Sequence, residues 1–159
     1  MRVLMVCAGN ICRSPAAEAA VRAEAEAAGI DIEVDSAGTG SWNLGEPPFH
    51  QMVEVARNHG LELAGKARRF GPSDFDRFDV ILVMDRSNLR DVLDQAPSLE
   101  ARAKVRLFRT YDPSSEEDEI PDPYGGPREG YEAAFEMIRA SARGFIDSLA
   151  SLGAGVRPD

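Results

Sequence analysis

The stretch RVLMVCAGNICRSP spans residues 2–15 and decides the fold. Its first five residues are mostly apolar and branched, in a run too short for a typical helix. They therefore predict a buried strand at residues 2–6. Residues 7–13 follow as a loop, and Ser14 and Pro15 then offer an N-cap and a first-turn proline for an alanine-rich helix. A loop held between a buried strand and a helix N-terminus is the central prediction.

The rest of the chain continues this alternation of strands and helices. Gly29 is expected to end the first helix, and Ser87 to cap a later one. Further strands are predicted at residues 30–35, 79–84 and 104–108, helices at residues 16–28, 49–59, 87–95 and 131–152, and a helical turn at residues 70–78. This order predicts one α/β domain over residues 1–159, with a four-stranded parallel sheet and helices on both faces.

Composition narrows the classes of partner and location. The chain has 159 residues, a length typical of one domain, and a net charge of −9. Long-range repulsion at that charge disfavours nucleic acid and anionic membrane surfaces as partners. The longest unbroken apolar run is far shorter than the ~20 residues of a membrane span, and the N-terminus lacks the pattern of a secretory signal. We expect a cytoplasmic protein.

The two cysteines, Cys7 and Cys12, indicate site chemistry rather than a disulfide framework. Structural zinc sites pair cysteines at two to four intervening residues and need four ligands, whereas His50 and His59 are distant in sequence. We therefore expect no metal site. The two histidines are interpreted as helix-surface residues without a catalytic role.

Residues 7–13, called here the phosphate loop, have the features of an anion site. Consecutive backbone N–H groups can form a concave nest, and the helix adds its positive end. Arg13 would add a planar fork that holds two phosphate oxygens, and the same field would favour the thiolate of Cys7. Gly9 allows close approach of backbone to a ligand. The loop lacks the Gly-Lys-Ser/Thr ending of nucleotide-binding loops and the three spaced glycines of dinucleotide folds.

A segment over residues 109–130 has little helix or strand pattern and is long for a loop in a compact domain. Its acidic part, residues 114–119, is typical of a disordered excursion. In Pro121-Asp122-Pro123 two prolines restrict the backbone around one carboxylate, which is either a turn residue or a catalyst. Elsewhere Lys66, Arg68 and Arg69 form a basic cluster, either a solvated face or a recruiting patch for phosphopeptides.

Several segments together resemble a known family. Residues 6–18, VCAGNICRSPAAE, are similar to the N-terminal signature of the low-molecular-weight protein tyrosine phosphatases, and Asp122-Pro123-Tyr124 resembles that family's acid loop. The resemblance extends to residues 35–39, the Trp42 loop, residues 84–89 and residues 111–113, and so covers nearly the whole chain.

This resemblance implies hydrolysis of phosphotyrosine. Cys7 would be the nucleophile that forms a cysteinyl phosphate, Arg13 would hold the phosphoryl oxygens, and Asp122 would act first as general acid and then as base. The remaining phosphate-binding residues would be Ala8, Gly9, Asn10, Ile11, Cys12 and Ser14, with Ser14 bonded to the sulfur. Substrates would be phosphotyrosine proteins or peptides and the product inorganic phosphate, with no metal or organic cofactor.

Five further roles are expected. By resemblance, Ser36 and Asp85 would support the phosphate loop, and Cys12 would form a reversible disulfide with the nucleophile; their alternatives are ordinary strand-end, cap or core residues. Trp42 and Tyr124 are loop aromatics that could hold a phenyl ring, although Trp42 could instead cover the core edge. A second aromatic often follows Tyr124 in the family, whereas this chain has Gly125.

Three other functions compete. A thiol arsenate reductase shares the expected fold and loop but relays through later cysteines, and no cysteine follows Cys12. In protein arginine phosphatases the resemblance leads us to expect a threonine where this chain has Ile11. A docking module would need Arg13 but not Cys7 together with Asp122. The sequence therefore favours phosphotyrosine hydrolysis.

Overall fold

The apolar run at the start of the chain forms a central strand of a parallel sheet. The computed structural model describes residues 1–153, within which the strands are β1 (Arg2–Cys7), β2 (Glu33–Gly38), β3 (Val80–Val83) and β4 (Val105–Leu107). The helices are α1 (Arg13–Ala28), α2 (His50–Asn58), α3 (Asp74–Arg77), α4 (Arg86–Leu93), α5 (Leu99–Arg102) and α6 (Arg128–Ser151), with a 3₁₀ helix at Phe108–Tyr111.

The order of the strands places the end of β1 at a crevice. The sheet runs β2-β1-β3-β4, and all three pairings are parallel. The chain leaves β1 toward β2 on one side and later returns to β3 on the other, so the strand order reverses between β1 and β3. Open α/β sheets bind ligands at such switch points, beyond the carboxyl ends of the strands. The phosphate loop starts there, as the predicted fold requires.

Two apolar cores lie on opposite faces of the sheet, because successive side chains of a strand point to opposite sides. Val3 and Met5 of β1 pack with α1, α2 and α6, whereas Leu4 and Val6 pack with α3, α4 and α5. The predicted four-stranded α/β fold with helices on both faces is confirmed.

Two predicted boundaries are wrong. The second strand covers Glu33–Gly38 rather than residues 30–35, because its register against β1 pairs Arg2 with Glu33 and Cys7 with Gly38. Helix α1 begins at Arg13, and Ser14 lies within its first turn rather than at its N-cap.

Two further predictions on the other side of the molecule are also wrong. Helix α4 is capped by Asp85 rather than Ser87. The acidic residues 114–119 are held against the domain by ion pairs rather than disordered. Arg109 pairs with Glu117 at 3.1 Å, and Arg86 pairs with Asp118 at 2.8 Å. Basic side chains of the domain neutralise this acidic segment and hold it in place.

No helix within residues 1–153 is both long and apolar enough to cross a membrane. The predicted domain, residues 1–159, also includes residues 154–159, which lie outside the described residues.

Candidate active site

The phosphate loop wraps around the sulfur of Cys7. The backbone N–H of Asn10 donates to Sγ at 3.3 Å, and the hydroxyl of Ser14 lies 3.0 Å from Sγ. Asn10 has φ of +58° and is the one non-glycine residue with positive φ within residues 1–153. This backbone region costs most L-residues roughly 1–2 kcal/mol, and asparagine tolerates it better than most. The turn at Asn10 brings an N–H donor onto the sulfur.

The side chain of Asn10 holds that turn in place. Its Nδ2 donates to the hydroxyls of Ser14 at 2.8 Å and Ser36 at 3.0 Å, and its Oδ1 accepts from the backbone N–H of Arg68 at 3.0 Å. Each polar atom of this buried amide therefore has a partner, as buried polar groups require. Ser36 thus contacts the residue that shapes the loop.

Arg13 is buried and rigidly oriented. Its Nη1 donates to Asp85 Oδ2 at 2.7 Å and to the carbonyl of Ile120 at 2.8 Å. Among residues 1–153, no acceptor is within hydrogen-bonding distance of its Nε, and its Nη2 lies 3.8 Å from Asp122 Oδ2. The edge formed by Nε and Nη2 is the one with which a guanidinium holds two oxygens of a phosphate.

Arg13 remains protonated although its side chain is buried. Burial alone would lower the pKa of this guanidinium, but Cys7, Asp85 and Asp122 outweigh it and raise the pKa above its ordinary value. The side chain therefore remains a cation throughout the physiological range.

Asp85 connects Arg13 with helix α4. Its Oδ1 accepts from the backbone N–H of Asn88 at 2.8 Å, and Asn88 Oδ1 accepts from the backbone N–H of Asp85 at 3.3 Å, which completes a capping box. Its second oxygen receives Arg13. One carboxylate thus caps a helix and orients the guanidinium.

The acid loop, residues 121–124, presents Asp122 on the opposite side of the pocket. Its Oδ1 accepts from the backbone N–H of Tyr124 at 3.1 Å, an Asx turn that orients the carboxylate. The side chain is 49% exposed, so this carboxyl group can exchange a proton with water as well as with a bound molecule.

A pocket of about 280 Å³ joins these groups. It is lined by Cys7, Ala8, Gly9, Ile11, Cys12, Arg13, Trp42, Asn43, Asp122 and Tyr124. Trp42 is 72% exposed, so the alternative that it covers the core edge is wrong. Tyr124 is supported by Phe49, whose ring meets it edge-on at 5.1 Å. The two aromatics flank a phosphate-sized nest, an arrangement that suits an aryl phosphate.

Cys12 also lines the pocket, with properties that differ from those expected of a nucleophile. Both cysteines are free thiols and buried. Burial, followed by the negative charges of Cys7 and Asp122, raises the pKa of Cys12 to about 12. Cys12 is therefore a neutral thiol at physiological pH.

The comparisons with known proteins agree with this geometry. The family model described as "Low molecular weight phosphotyrosine protein phosphatase" matches residues 2–154. The chain belongs to the low-molecular-weight protein tyrosine phosphatases. The corresponding enzyme of Streptomyces coelicolor is 44% identical over 152 residues, with 93% of each chain covered. The predicted enzyme class is thereby confirmed.

Two solved structures show how closely the fold of this tyrosine phosphatase is shared. A protein tyrosine phosphatase from Entamoeba histolytica superposes with a TM-score of 0.92 at 31% identity, covering 96% of this chain and 99% of its own. The YwlE arginine phosphatase superposes with a TM-score of 0.85 at 26% identity, covering 94% of this chain and 96% of its own.

Some candidate residues of this phosphatase lie away from the pocket. Arg68 reaches the phosphate loop through its backbone, and its side chain is paired with Asp35 and Asp74 rather than facing solvent as a recruiting charge. Sequence reasoning assigned no role to Ile120 or Asn43. Ile120 acts through its carbonyl and Asn43 lines the pocket beside Gly9, and neither position carries a local pattern that signals this.

His59 is the centre of a polar cluster on the far side of α6. Its Nε2 lies 3.1 Å from Glu132 and 3.5 Å from Glu136. Within residues 1–153, these three residues form the group whose potential ligand atoms lie close enough together to hold a metal ion. Arg139 Nη1 lies 3.2 Å from Nδ1, and a guanidinium can only donate. Nδ1 therefore accepts, and Nε2 carries the proton toward the carboxylates. These contacts join the residue that follows α2 to α6 by hydrogen bonds.

Proposed function

We propose that this phosphatase hydrolyses phosphotyrosine in proteins or peptides through a cysteinyl-phosphate intermediate. The observation that carries the proposal is the convergence of Cys7, Arg13 and Asp122 on one pocket between two aromatic side chains. The reaction needs an in-line nucleophile, stabilised equatorial oxygens and a proton for a phenol whose pKa is about 10. Each requirement has a group of suitable chemistry in this pocket.

In the first step, the thiolate of Cys7 attacks phosphorus, and the sulfur–phosphorus bond forms as the bond to the tyrosine oxygen breaks. Asp122 in its protonated form transfers its proton to that oxygen, so tyrosine leaves as the neutral phenol. The Nε and Nη2 groups of Arg13 and the N–H groups of the phosphate loop bind the three equatorial oxygens. Because these donors are already in place before substrate binds, little free energy is spent on reorganising them during the reaction.

In the second step, water attacks phosphorus and gives its proton to the carboxylate of Asp122. The sulfur–phosphorus bond breaks, Cys7 leaves as a thiolate, and inorganic phosphate is the product. The hydroxyl of Ser14, 3.0 Å from Sγ, can donate to that leaving thiolate. Arg13 and the loop supply the charge stabilisation that a metal ion supplies in other phosphatases, so we propose metal-independent catalysis.

Trp42 and Tyr124 are proposed as the walls of the phenyl slot. Gly125 replaces the second aromatic often found at that position in the family, so the slot is bounded at this edge by Tyr124 alone. We expect the enzyme to accept aryl phosphates with bulky ring substituents for this reason.

A redox role is proposed for Cys12. Peroxide would oxidise Cys7 to a sulfenic acid, and Cys12 would condense with it to a disulfide with loss of water. Burial is the largest cause of the raised pKa of Cys12 and opposes that attack, and the charge of Cys7 raises this pKa further until Cys7 is oxidised. Oxidation of Cys7 removes the charge and favours the thiolate of Cys12. A nucleophile of this kind requires a reducing compartment, which is why we propose the cytoplasm.

The similarity to an arginine phosphatase raises a second candidate function, the hydrolysis of phosphoarginine. The YwlE enzyme has been captured with a phosphorylated serine in place of its active-site cysteine, which supports covalent catalysis in this fold. Phosphoarginine is a longer, charged substrate, and Ile11 adds an apolar side chain to the pocket where that branch is expected to carry threonine.

Steady-state turnover of a phosphotyrosine peptide and a phosphoarginine peptide, both in EDTA, tests these proposals. We expect strong preference for phosphotyrosine and a loss of at least about 10⁴-fold in Cys7→Ser. Arg22→Lys is the control for the loss of a half-buried, hydrogen-bonded side chain outside the pocket. Preference for phosphoarginine would select the second candidate. Turnover by Cys7→Ala at the wild-type rate would overturn the covalent mechanism, because alanine offers no nucleophile.

A further inference from the structure

A buried carboxylate lies on the side of the phosphate loop away from the pocket. The side chain of Asp74, in the short helix α3, is 2% exposed. Its two oxygens accept from Arg68, Nη1 to Oδ2 at 3.3 Å and Nη2 to Oδ1 at 3.1 Å, and Oδ2 also accepts from the backbone N–H of Gly71 at 3.0 Å. Arg68 is thus held in a two-point fork, the arrangement that fixes a guanidinium in orientation as well as in place.

Arg68 is joined to the strand beside the site by further contacts. Its Nη2 also donates to Asp35 of β2 at 3.2 Å. Its carbonyl accepts from the backbone N–H of Gly38 at 2.9 Å, and the carbonyl of Gly38 accepts from Phe70 at 2.7 Å. The segment around Arg68 therefore pairs with the last residue of β2, through a parallel bridge between Gly38 and Arg69.

The same segment meets the residue on which the phosphate loop turns. The backbone N–H of Arg68 donates to Asn10 Oδ1, the acceptor that remains once Asn10 Nδ2 has reached Ser14 and Ser36. Asn10 has a φ of +58°, and its own backbone N–H donates to the sulfur of Cys7. Any shift of residue 68 therefore moves the amide that determines where this N–H points.

We propose that Asp74 and Arg68 are positioning residues for catalysis, which hold Asn10 in its left-handed conformation and so align the loop N–H groups around Cys7 and the bound phosphoryl group. The inference rests on the proposed function of the loop. Within residues 1–153, the side-chain hydrogen bonds and ion pairs of Asp74 go to Arg68, Gly71 and Arg77 and to no residue that lines the pocket. Asp74 therefore acts through the path from Asp74 to Arg68 to Asn10.

The fork between Asp74 and Arg68 can be weakened without removing the backbone contact. Asp74→Asn keeps the volume of the side chain and an acceptor for Gly71, but it removes the charge and turns an NH₂ group toward Arg68 or its neighbours. Arg68→Ala keeps the backbone N–H that Asn10 accepts, so any effect on the loop arises from loss of the side-chain anchor. Arg68→Lys retains a cation that can reach one carboxylate and should restore part of the effect.

The three readouts are catalysis, the binding of inorganic phosphate by the folded protein and the reactivity of Cys7. We expect Asp74→Asn and Arg68→Ala to lower kcat/KM for p-nitrophenyl phosphate by about 10- to 100-fold, the scale of a small misplacement in a catalytic site. Inhibition by inorganic phosphate should weaken in parallel. The rate of Cys7 alkylation by iodoacetate at a fixed pH should also change, because the N–H of Asn10 is less well aligned with Sγ.

Arg77→Ala is the matched control, since Arg77 also approaches Asp74, at 3.8 Å, but is mostly exposed and contacts no loop residue in the described structure. It should leave all three readouts unchanged. If the role were purely structural, the melting temperature would fall. Inhibition by inorganic phosphate and the rate of Cys7 alkylation, both measured well below that temperature, would stay as in wild type. That result in Arg68→Ala would overturn the proposal even if Asp74→Asn fails to fold. Failure of the proposed function would be seen separately, as turnover that survives in Cys7→Ala, because inhibition by inorganic phosphate reports binding rather than turnover.

Discussion

The phosphate loop and the acid loop face each other across the pocket and are constructed in opposite ways. In the phosphate loop, Asn10 and Arg13 are 4% and 1% exposed, and their side chains are bonded to residues of four other segments. In the acid loop, Asp122 is half exposed. Within residues 1–153 its hydrogen bond to the N–H of Tyr124 reaches only two residues along the chain, and Arg13 Nη2 stays 3.8 Å away.

The difference follows from what each loop does in the proposed mechanism. Donors that stabilise developing charge act best when they are fixed before the substrate arrives, because reorganisation during the reaction costs free energy. A general acid must instead gain and lose a proton in every cycle, and contact with water keeps that exchange fast. Damage to the first loop should therefore affect binding, catalysis and stability together, whereas damage to the second should affect proton transfer alone.

The largest expected effect is that of Arg13→Lys. A lysine presents one ammonium and cannot satisfy Asp85 and Ile120 while also offering the two-donor edge. We expect kcat/KM to fall by about 10³- to 10⁵-fold, the range seen when a phosphoryl-clamping arginine is lost. The free energy of unfolding in urea should also fall. Arg22→Lys, which removes a guanidinium that also donates to a carboxylate and a backbone carbonyl but lies outside the pocket, should affect stability only. Loss of activity with intact phosphate affinity in Arg13→Lys would contradict the assignment.

Asp122→Asn should have a smaller and more selective effect. The amide keeps an acceptor for the N–H of Tyr124 but has no proton to transfer, so kcat/KM for phosphotyrosine should fall by about 10²- to 10⁴-fold. The loss should shrink as the pKa of the leaving phenol decreases, because a better leaving group needs less protonation. Phosphate inhibition and urea stability should stay near wild type.

Asp118→Asn removes a carboxylate of the neighbouring acidic segment and serves as the control for the change in surface charge. An equal loss for every leaving group in Asp122→Asn would show that this carboxylate does not supply the proton.

The smallest effect concerns the buried thiol of the phosphate loop. Its pKa is about 12 in the folded chain against an ordinary value of 9.0, so the unfolded chain loses this proton first as pH rises. The stabilisation is complete below pH 9 and disappears as pH rises toward 12. Urea unfolding from pH 8 to 11 should give a shallower decline in the free energy of unfolding for Cys12→Ala than for wild type. Parallel declines would mean that Cys12 ionises in the folded state as it does when unfolded.

Much of the fold was predictable because its signals are local. The branched run before Cys7, the alternation of strands and helices, and Gly29 with φ of +69° at the end of α1 each express the preference of a short segment. The wrong predictions arose where a distant partner overrode such a preference. The register of β1 moved the second strand to Glu33–Gly38, and Asp85 rather than Ser87 took the cap of α4.

The pattern Asp-x-x-Asn at Asp85 and Asn88 was a readable capping signal. Arg68 had no such signal, because its link to Asn10 passes through a backbone N–H that every residue except proline has. The attachment of the acidic residues 114–119 was only partly readable, because Arg109 begins the same segment whereas Arg86 is 32 residues from its partner Asp118.

The sequence by itself determined the kind of chemistry, because Cys7, Arg13 and the loop between them lie within seven residues and a short segment can form a nest at a helix N-terminus. Only the tertiary structure decided how that chemistry is directed. Asp85, Ile120 and Asp122 are 72 to 109 residues from Arg13 and meet it because parallel strands end at one edge of the sheet. Buried donors and acceptors must find partners, and which partner is within reach is a property of the packed chain.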